Sequence, residues 1–223
     1  MQIILVRHAE MAGDPFVCPE SPVAGCLSED NGVAQAERAH VALKDTPITV
    51  AFSSPYGRAL QTAEIVLRGR GLRVKTLHAL REWEPSHAVR ELPPDEADAL
   101  MKRHEDRFAE ETWKTEIGEG CFEMYARICP SFLAELAALG IHHRMGGYVV
   151  EKGAEAHSIA VFAHGGSLNV LLSFLLGLPP FPVGRFEFAL TGVAMLKFSE
   201  RKGIHYPSLV IPAHHTNGNG HAK

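Results

Sequence analysis

The feature that most constrains this chain is a set of short, mainly apolar segments, each of which runs directly into a polar side chain. Residues 1–6 (MQIILV) are followed by Arg7 and His8, and residues 158–163 (SIAVFA) are followed by His164. Apolar runs of this length are typical of strands that are buried on both faces of a sheet. We therefore expect two central strands, each with a histidine just beyond its carboxyl end.

Helical patterns alternate with these strands. A Ser-Ser-Pro sequence at residues 53–55 predicts the start of a helix, because it supplies a hydroxyl cap and a proline at the first helical position. Alternating strands and helices predict an α/β fold with a doubly wound, mainly parallel sheet and helices on both faces. In such sheets, ligands bind in the crevice outside the carboxyl ends of the strands. Further strands are predicted at residues 49–52, 72–77 and 189–198, and helices at residues 32–44, 55–67, 122–139 with an interruption near Pro130, and 167–176.

The composition of the chain changes near Glu82. The following stretch, to about residue 120, is charged, contains both tryptophans and shows a helical pattern at residues 94–111. We interpret about residues 83–120 as a helical insertion that covers the crevice as a lid. Residues 1–212 are expected to form a single domain, and residues 213–223, which lack any apolar pattern, are expected to be disordered. Five aromatic residues either line an apolar lid or form the insertion's own small core: Trp83, Phe108, Trp113, Phe122 and Tyr125.

The composition excludes several classes of protein. With a formal net charge of −4 over 223 residues, the chain lacks the basic excess expected of a protein that grips nucleic acid or an anionic membrane. No apolar run approaches the roughly 20 residues of a membrane-spanning helix. The N-terminus lacks the basic and apolar regions of a signal peptide, so we expect a cytoplasmic protein. The sequence is also compatible with a homodimer.

Cysteine and histidine spacing gives no clear metal site. The four cysteines lack CxxC spacing and are interpreted as reduced structural thiols, with a disulfide or a metal role as the alternative. The 13 histidines show no HExxH motif, and no GxxxxGK[ST] or GxGxxG sequence follows a predicted strand. We therefore expect neither a metal nor a cofactor.

Three polar signals follow three of the predicted strands. They are Arg7-His8, the Ser-Ser-Pro helix start with Arg58 in the first turn of its helix, and His164 with the glycines after it. If these strands are neighbours, two imidazoles and two guanidinium groups converge on one crevice, and two helix N-termini add free backbone N–H groups. Such a crevice is suited to a dianion. Each signal alone is weak, since a second Arg-His pair occurs at residues 103–104 on a charged helix, but their combination at strand ends is specific.

The order of these signals resembles the histidine phosphatase (phosphoglycerate mutase-like) superfamily, whose first signature is an RHG sequence. The matching positions fall in family order over roughly residues 1–200, which is nearly the whole chain. They are Val6-Arg7-His8-Ala9-Glu10, Leu27-Ser28 to Gly32, Gln35-Ala36, Ser53-Ser54-Pro55 with Arg58, Gln61, Thr62 and Ala63, Leu80-Arg81-Glu82, Gly118-Glu119 with Arg127 after it, and His164-Gly165-Gly166.

The resemblance implies a doubly wound α/β fold with a helical insertion over the active site. It implies that His8 becomes phosphorylated, that Arg7, Arg58 and His164 hold the phosphoryl group, and that Glu82 donates the proton. The chemistry agrees with these roles, because the transition state of phosphoryl transfer spreads charge over three oxygens and is stabilised mainly by positioned cations. Arginine supplies permanently charged, bidentate hydrogen bonds, and a neutral imidazole is a good nucleophile at pH 7.

Two further residues are expected to contact the substrate. Gly165 allows the backbone to approach a ligand closely, and Arg81 lies next to the expected proton donor. The chain departs from mutase-type members in two ways: residues 11–15 lack the Ser and Asn that contact phosphate or sugar, and a tyrosine-rich segment with paired arginines is missing. Both absences favour a phosphatase.

The sequence therefore predicts a metal-independent phosphomonoesterase that hydrolyses a small phosphorylated metabolite through a phosphohistidine intermediate. A phosphoglycerate mutase-type phosphotransferase is the alternative enzyme. A binding module that retains the pocket without catalysis is the alternative of a different class.

Overall fold

The computed structural model describes residues 1–13, 25–105, 117–179 and 184–210. Within these ranges, eight strands form one sheet. The strands are β1 (Gln2–Arg7), β2 (Val50–Ser53), β3 (Val74–Thr76), β4 (Ile141–Arg144), β5 (Gly147–Val150), β6 (Ser158–Ala163), β7 (Val193–Arg201) and β8 (Ile204–Val210). The helices are α1 (Gly32–Leu43), α2 (Gly57–Val66), α3 (His87–Arg90), α4 (Pro94–Glu105), α5 (Cys121–Ala138) and α6 (Gly165–Leu175), with short 3₁₀ helices at His78–Leu80 and Ala154–Ala156.

The sheet is mixed, so the prediction of a mainly parallel sheet is wrong for half of it. The strand order is β3-β2-β6-β1-β7-β8-β5-β4. Strands β3, β2, β6 and β1 are parallel to one another. The pairs β1–β7, β7–β8, β8–β5 and β5–β4 are antiparallel. Strands β4, β5 and β8 were not predicted, because their sequences mix polar and apolar residues and lack a buried run. A signal for them lies in Met145-Gly146 and Lys202-Gly203, two-residue turns with positive φ throughout, which antiparallel hairpins favour.

The expected helices on both faces of the sheet are present. Along β1, Ile3 and Leu5 pack in one buried cluster, whereas Ile4 and Val6 pack in another. This division follows from the two-residue period of a strand, which sends successive side chains to opposite faces. The first cluster includes side chains of α5 and α6, and the second includes side chains of α1 and α2. The parallel half of the sheet is therefore covered on both sides.

Several helix boundaries differ from those predicted. Helix α5 runs unbroken through Pro130, so the predicted interruption is wrong. Proline fits helical φ and removes one backbone N–H, and the buried face of this helix offsets that loss by packing against the sheet. Helix α2 begins two residues later than predicted, because the Ser54 hydroxyl accepts a hydrogen bond from the backbone N–H of Tyr56 before the first turn.

Some expectations lie partly outside the described residues. The helix predicted over residues 94–111 is observed as α4, which is described only to Glu105. Phe108, Trp113, Cys18 and the C-terminal segment are not within the described ranges. Cys26, Cys121 and Cys129 are buried. Across the ranges that the structure describes, no helix combines the length and apolar character needed to cross a membrane.

Candidate active site

The three polar signals of the sequence meet at one edge of the sheet. Strand β6 lies between β1 and β2, with Ala163 opposite Arg7 and Phe162 opposite Ser53. The ladder continues one step further, because the backbone N–H of His8 donates to the Ala163 carbonyl at 2.9 Å. The residues that follow these three strands therefore lie side by side at the carboxyl edge of the sheet. The expectation that the three strands are neighbours is confirmed.

One guanidinium group joins the two histidines of this edge. Arg58 Nε donates to His8 Nε2 and to His164 Nδ1, each at 3.2 Å, and the imidazole centroids are 5.0 Å apart. His8 Nδ1 lies 2.7 Å from the carbonyl oxygen of Ala9, which can only accept, so Nδ1 carries the proton. The lone pair of His8 is then on Nε2. Because Arg58 Nε donates to His164 Nδ1, the proton of neutral His164 is on Nε2, which lies 2.8 Å from Ser54 Oγ.

Both imidazoles are held in the neutral form. Burial is the largest cause of a pKa of about 3 for His8; the hydrogen bond to Ala9 opposes it, and the charges of Arg58 and Arg7 add to it. Burial likewise holds the pKa of His164 well below its ordinary value, with His8 and the nearby arginines as further causes. At pH 7 both rings are therefore neutral, and His8 Nε2 carries a lone pair that accepts from Arg58 Nε.

Arg7 at the end of β1 has a buried donor in need of an acceptor. Its Nη1 donates to the Phe188 carbonyl at 2.5 Å, whereas its Nε is buried without a hydrogen-bond partner among the described residues. An ideal Cβ on Gly165 would lie 3.5 Å from Arg7 Cζ, so the backbone of Gly165 runs beside the guanidinium group. A buried N–H without an acceptor is costly, so this atom of Arg7 is under-satisfied among the described residues.

Glu82 sits at the N-terminus of α6. Its Oε2 accepts from the backbone N–H of Gly166 at 3.0 Å, and its Oε1 accepts from those of Ser167 at 3.1 Å and Trp83 at 2.8 Å. The positive end of the helix dipole also attracts this carboxylate. Oε1 thus accepts two hydrogen bonds and Oε2 accepts one. The helix N-terminus that the sequence offered to a ligand is thus occupied by a side chain of the protein.

These groups line a cavity of about 320 Å³. His8 faces the cavity, whereas His164 is completely buried behind it. Arg81 and Gly165 also lie outside the lining; Arg81 donates from Nε to Glu84 Oε1 at 3.2 Å. That Arg81 contacts substrate stays a prediction. The described residues that line the cavity are Arg7, His8, Glu10, Met11, Tyr56, Arg58, Glu82, Trp83, Glu84, Pro85, Arg90 and Leu190.

A comparison with protein families agrees with this geometry. The model of the histidine phosphatase superfamily (branch 1) matches residues 3–205. The chain belongs to this superfamily. The match confirms the resemblance seen in the sequence and identifies the chain as a histidine phosphatase, a phosphoric monoester hydrolase.

Curated relatives and solved structures of phosphatases resemble this histidine phosphatase over most of their length. The adenosylcobalamin/alpha-ribazole phosphatase of Salmonella typhi is 26% identical over 202 residues, covering 84% of this chain and 85% of the relative. A mycobacterial glucosyl-3-phosphoglycerate phosphatase complexed with VO3 has a TM-score of 0.66 and 25% identity, covering 94% of this chain and 97% of its own. The alpha-ribazole phosphatase of Shigella flexneri shares the fold, with a TM-score of 0.64 and 23% identity over 94% of this chain and 96% of its own.

Several family residues in this histidine phosphatase act behind the cavity. Thr62 Oγ1 accepts from the Ala9 backbone N–H at 3.0 Å, and Gln35 Oε1 accepts from that of Glu10 at 2.8 Å. These bonds fix the loop that leaves His8.

Within the described ranges, no group of three or more His, Cys, Asp or Glu side chains is arranged to hold a metal ion.

Arg127 fixes the segment that leads to Glu82. Its guanidinium group forms two hydrogen bonds with Glu119, at 2.7 and 2.5 Å, and its Nη1 donates to the carbonyls of Ala79 at 2.6 Å and Arg81 at 3.1 Å. Bidentate pairs of this kind are strong and directional. Helix α5 thereby positions the chain just before Glu82.

Sequence reasoning did not single out Tyr56, and it missed the reason for one glycine. An ideal Cβ on Gly166 would lie 2.5 Å from Glu82 Oε1. The glycine therefore makes room for the Glu82 carboxylate. The signal available in the sequence was only the presence of two successive glycines after His164.

We expect Gly166→Ala to fold normally and to lower kcat by about 10- to 100-fold, because the new methyl group displaces a carboxylate that would otherwise reach the reacting atoms. The Glu82 side chain is flexible, so the cost to stability is small. Gly165→Ala is the matched control, since its Cβ makes only an ordinary contact with Arg7. Steady-state kinetics and thermal unfolding of both variants test this expectation. Equal kcat values for the two variants would contradict it.

Proposed function

We propose that this histidine phosphatase hydrolyses a small phosphorylated metabolite through a phosphohistidine on His8, without a metal ion. The observation that carries the proposal is the convergence of His8, Arg7 and Arg58 on one cavity, with His8 neutral and its lone pair on Nε2. A phosphate ester bound there has its phosphorus facing the nucleophile and its oxygens facing two cations. Residues 1–212 act as a single domain in this proposal, in the cytoplasm.

In the first step, His8 Nε2 attacks phosphorus and the bond from phosphorus to the ester oxygen breaks. Glu82 transfers its proton from Oε2 to the departing oxygen, so an alcohol leaves and Glu82 becomes a carboxylate. Arg7 and Arg58 neutralise the charge on the three remaining phosphoryl oxygens. His164, neutral and bonded to Arg58, holds that guanidinium group in place and so contributes to binding the phosphoryl group.

In the second step, water attacks the phosphohistidine. The Glu82 carboxylate takes a proton from the water as its oxygen bonds to phosphorus, and the electron pair of the P–N bond returns to His8 Nε2. Inorganic phosphate, neutral His8 and protonated Glu82 are the products. General acid and base catalysis of this kind contributes roughly 10²- to 10⁴-fold to the rate.

The cavity wall supports a substrate whose leaving group has apolar surface. Met11, Trp83 and Leu190 line it beyond the phosphoryl site, and Pro85 and Arg90 extend the wall. These positions support the proposal that about residues 83–120 form a lid. The relatives are named as an adenosylcobalamin/alpha-ribazole phosphatase and a glucosyl-3-phosphoglycerate phosphatase, and we propose a phosphomonoester with an organic leaving group.

The experiment that tests the function combines a substrate panel with a chemical trap. The protein is assayed with EDTA present on sugar phosphates, nucleotides, phosphoglycerates, phosphopeptides and alpha-ribazole 5′-phosphate, and ³²P-labelled substrate is used to trap the phosphoenzyme. We expect turnover that EDTA does not reduce, and a protein-bound label that survives alkali and is lost in acid. Turnover that EDTA abolishes and a divalent metal restores would refute the metal-independent mechanism. Isomerisation of 3-phosphoglycerate would identify a mutase.

A further inference from the structure

Tyr56 connects two parts of the site that are far apart in the sequence. The side chain is 5% exposed and precedes the first residue of α2. Its ring lies edge-on to the His164 imidazole, with centroids 5.3 Å apart, and its centroid is 5.0 Å from Arg58 Cζ. Its hydroxyl donates a hydrogen bond to Glu84 Oε1. One side chain therefore contacts the phosphoryl-binding residues with its ring and the chain beyond Glu82 with its hydroxyl.

Glu84 is a well-anchored acceptor for this hydroxyl. Its carboxylate also accepts from Arg81 Nε at 3.2 Å, and Arg90 Nη2 lies 3.9 Å from Oε2. Partial burial acts to raise the pKa of Glu84, but the Tyr56 hydrogen bond and the charges of Arg81 and Arg90 outweigh it, so the pKa is lowered. The group thus remains an ionised acceptor at pH 7.

The chain around Glu84 is close-packed. The Glu84 carbonyl accepts from the Glu119 backbone N–H at 3.3 Å, and an ideal Cβ on Gly118 would lie only 2.4 Å from that carbonyl oxygen. The backbone of Glu84 is therefore held on one side by residues 118–119, and its side chain is held on the other by the Tyr56 hydroxyl. Glu82 is two residues away and makes all its hydrogen bonds to backbone N–H groups.

We propose that Tyr56 is a positioning residue that sets the place of Glu82 relative to the phosphoryl-binding residues. The ring steadies Arg58 and His164, and the hydroxyl, through Glu84, steadies the segment that carries Glu82. The proposal rests on the role of Glu82 as proton donor. It also accounts for a buried tyrosine hydroxyl directed at a carboxylate beside the cavity.

The proposal has a consequence that depends on the leaving group. In the first step, which kcat/KM reports, a misplaced proton donor slows only reactions whose departing oxygen needs a proton, whereas the second step is the same for every substrate. The alkoxide that departs from an alkyl phosphate needs this proton. The 4-nitrophenolate that departs from 4-nitrophenyl phosphate is a stable anion and does not need it. A general loosening of the fold would slow both substrates alike, so the ratio of the two rates separates positioning from structure.

Tyr56→Phe removes the hydroxyl and keeps the ring. We expect it to lower kcat/KM on an alkyl phosphate about tenfold, with little change in kcat/KM on 4-nitrophenyl phosphate and with the inhibition constant of orthovanadate unchanged. Glu84→Gln, which weakens the same hydrogen bond, is expected to follow this pattern. Tyr56→Leu removes the ring as well and is expected to weaken orthovanadate inhibition. Tyr206→Phe, at an exposed tyrosine, is the matched control and is expected to change neither rate.

Glu82→Gln, measured on the same two substrates, separates the proton-donor role of Glu82 from the positioning role of Tyr56. Suppose that Glu82→Gln lowers kcat/KM for the alkyl phosphate selectively, by about 10²-fold, while Tyr56→Phe lowers kcat/KM for both substrates equally or for neither. The Tyr56 inference is then overturned and the role of Glu82 stands. If Glu82→Gln has no selective effect, the role of Glu82 and the inference both fail. Should Tyr56→Leu not fold, Tyr56→Phe still decides the question.

Discussion

His8→Ala is expected to abolish phosphoenzyme formation and to lower kcat on the order of 10⁴-fold or more, a loss of the size seen when a nucleophile is removed. The structure gives the reason: His8 Nε2 carries a lone pair, the ring is neutral at pH 7, and of the two buried histidines it alone lines the cavity. The measurement is a quench of ³²P-labelled substrate with purified protein, alongside steady-state turnover. The variant should show neither label nor turnover while retaining its circular dichroism spectrum.

Two controls make this result specific to His8. His164→Ala is expected to retain a labelled phosphoenzyme at a reduced rate, because it removes a partner of Arg58 and not the nucleophile. His142 lies on β4 and pairs with Glu151, so His142→Ala is expected to behave like the unmodified protein. A label that persists in His8→Ala and disappears in His164→Ala would assign the nucleophile to the other ring.

Arg58→Ala is expected to lower kcat/KM by roughly 10³- to 10⁵-fold, the range over which a transition-state arginine acts in phosphoryl transfer. This guanidinium group is 5% exposed and donates to both imidazoles, so its loss removes a cation from the cavity and a common partner from the two rings. Orthovanadate inhibition, which reports binding to the phosphoryl site, should weaken in parallel. Arg58→Lys should recover only part of the loss, because an ammonium group keeps the charge without the planar fork.

The matched control for Arg58 lies just beyond the same helix. Arg68 is exposed and pairs with Glu37 at 2.7 Å, so Arg68→Ala should leave kcat/KM unchanged and stability nearly so. If Arg58→Ala retained orthovanadate inhibition while losing turnover, the guanidinium group would act on His8 and not on the phosphoryl oxygens.

The part of the site that follows strands could be predicted from the sequence. The run before Arg7-His8 and the run before His164 are apolar and short, and the rule that parallel strands end at one edge places their polar successors together. The structure agrees to the level of register, since β6 lies between β1 and β2. Local patterns of hydrophobicity carry this information directly.

The remaining features depend on contacts that no local pattern encodes. Tyr56 meets Glu84 across 28 residues, and Gly166 meets Glu82 across 84. A helix-start sequence and a pair of glycines look alike whether or not such a partner exists. Most of the antiparallel half of the sheet was not predicted for a related reason. In half-exposed strands such as β8, which contains Pro207, polar and apolar residues alternate irregularly, so the sequence resembles a loop.

The position of β6 also determines when this protein can become active during its synthesis. Strand β6 begins at residue 158 and pairs on one side with β1 and on the other with β2. Until the ribosome has released this segment, the two earlier strands have no partner between them and leave apolar edges available to other chains. Pairings across so long a stretch of polypeptide also slow folding. A nascent chain therefore cannot bring these strand ends together until residue 163 has left the ribosome, and a fragment ending before residue 158 should aggregate rather than bind phosphate.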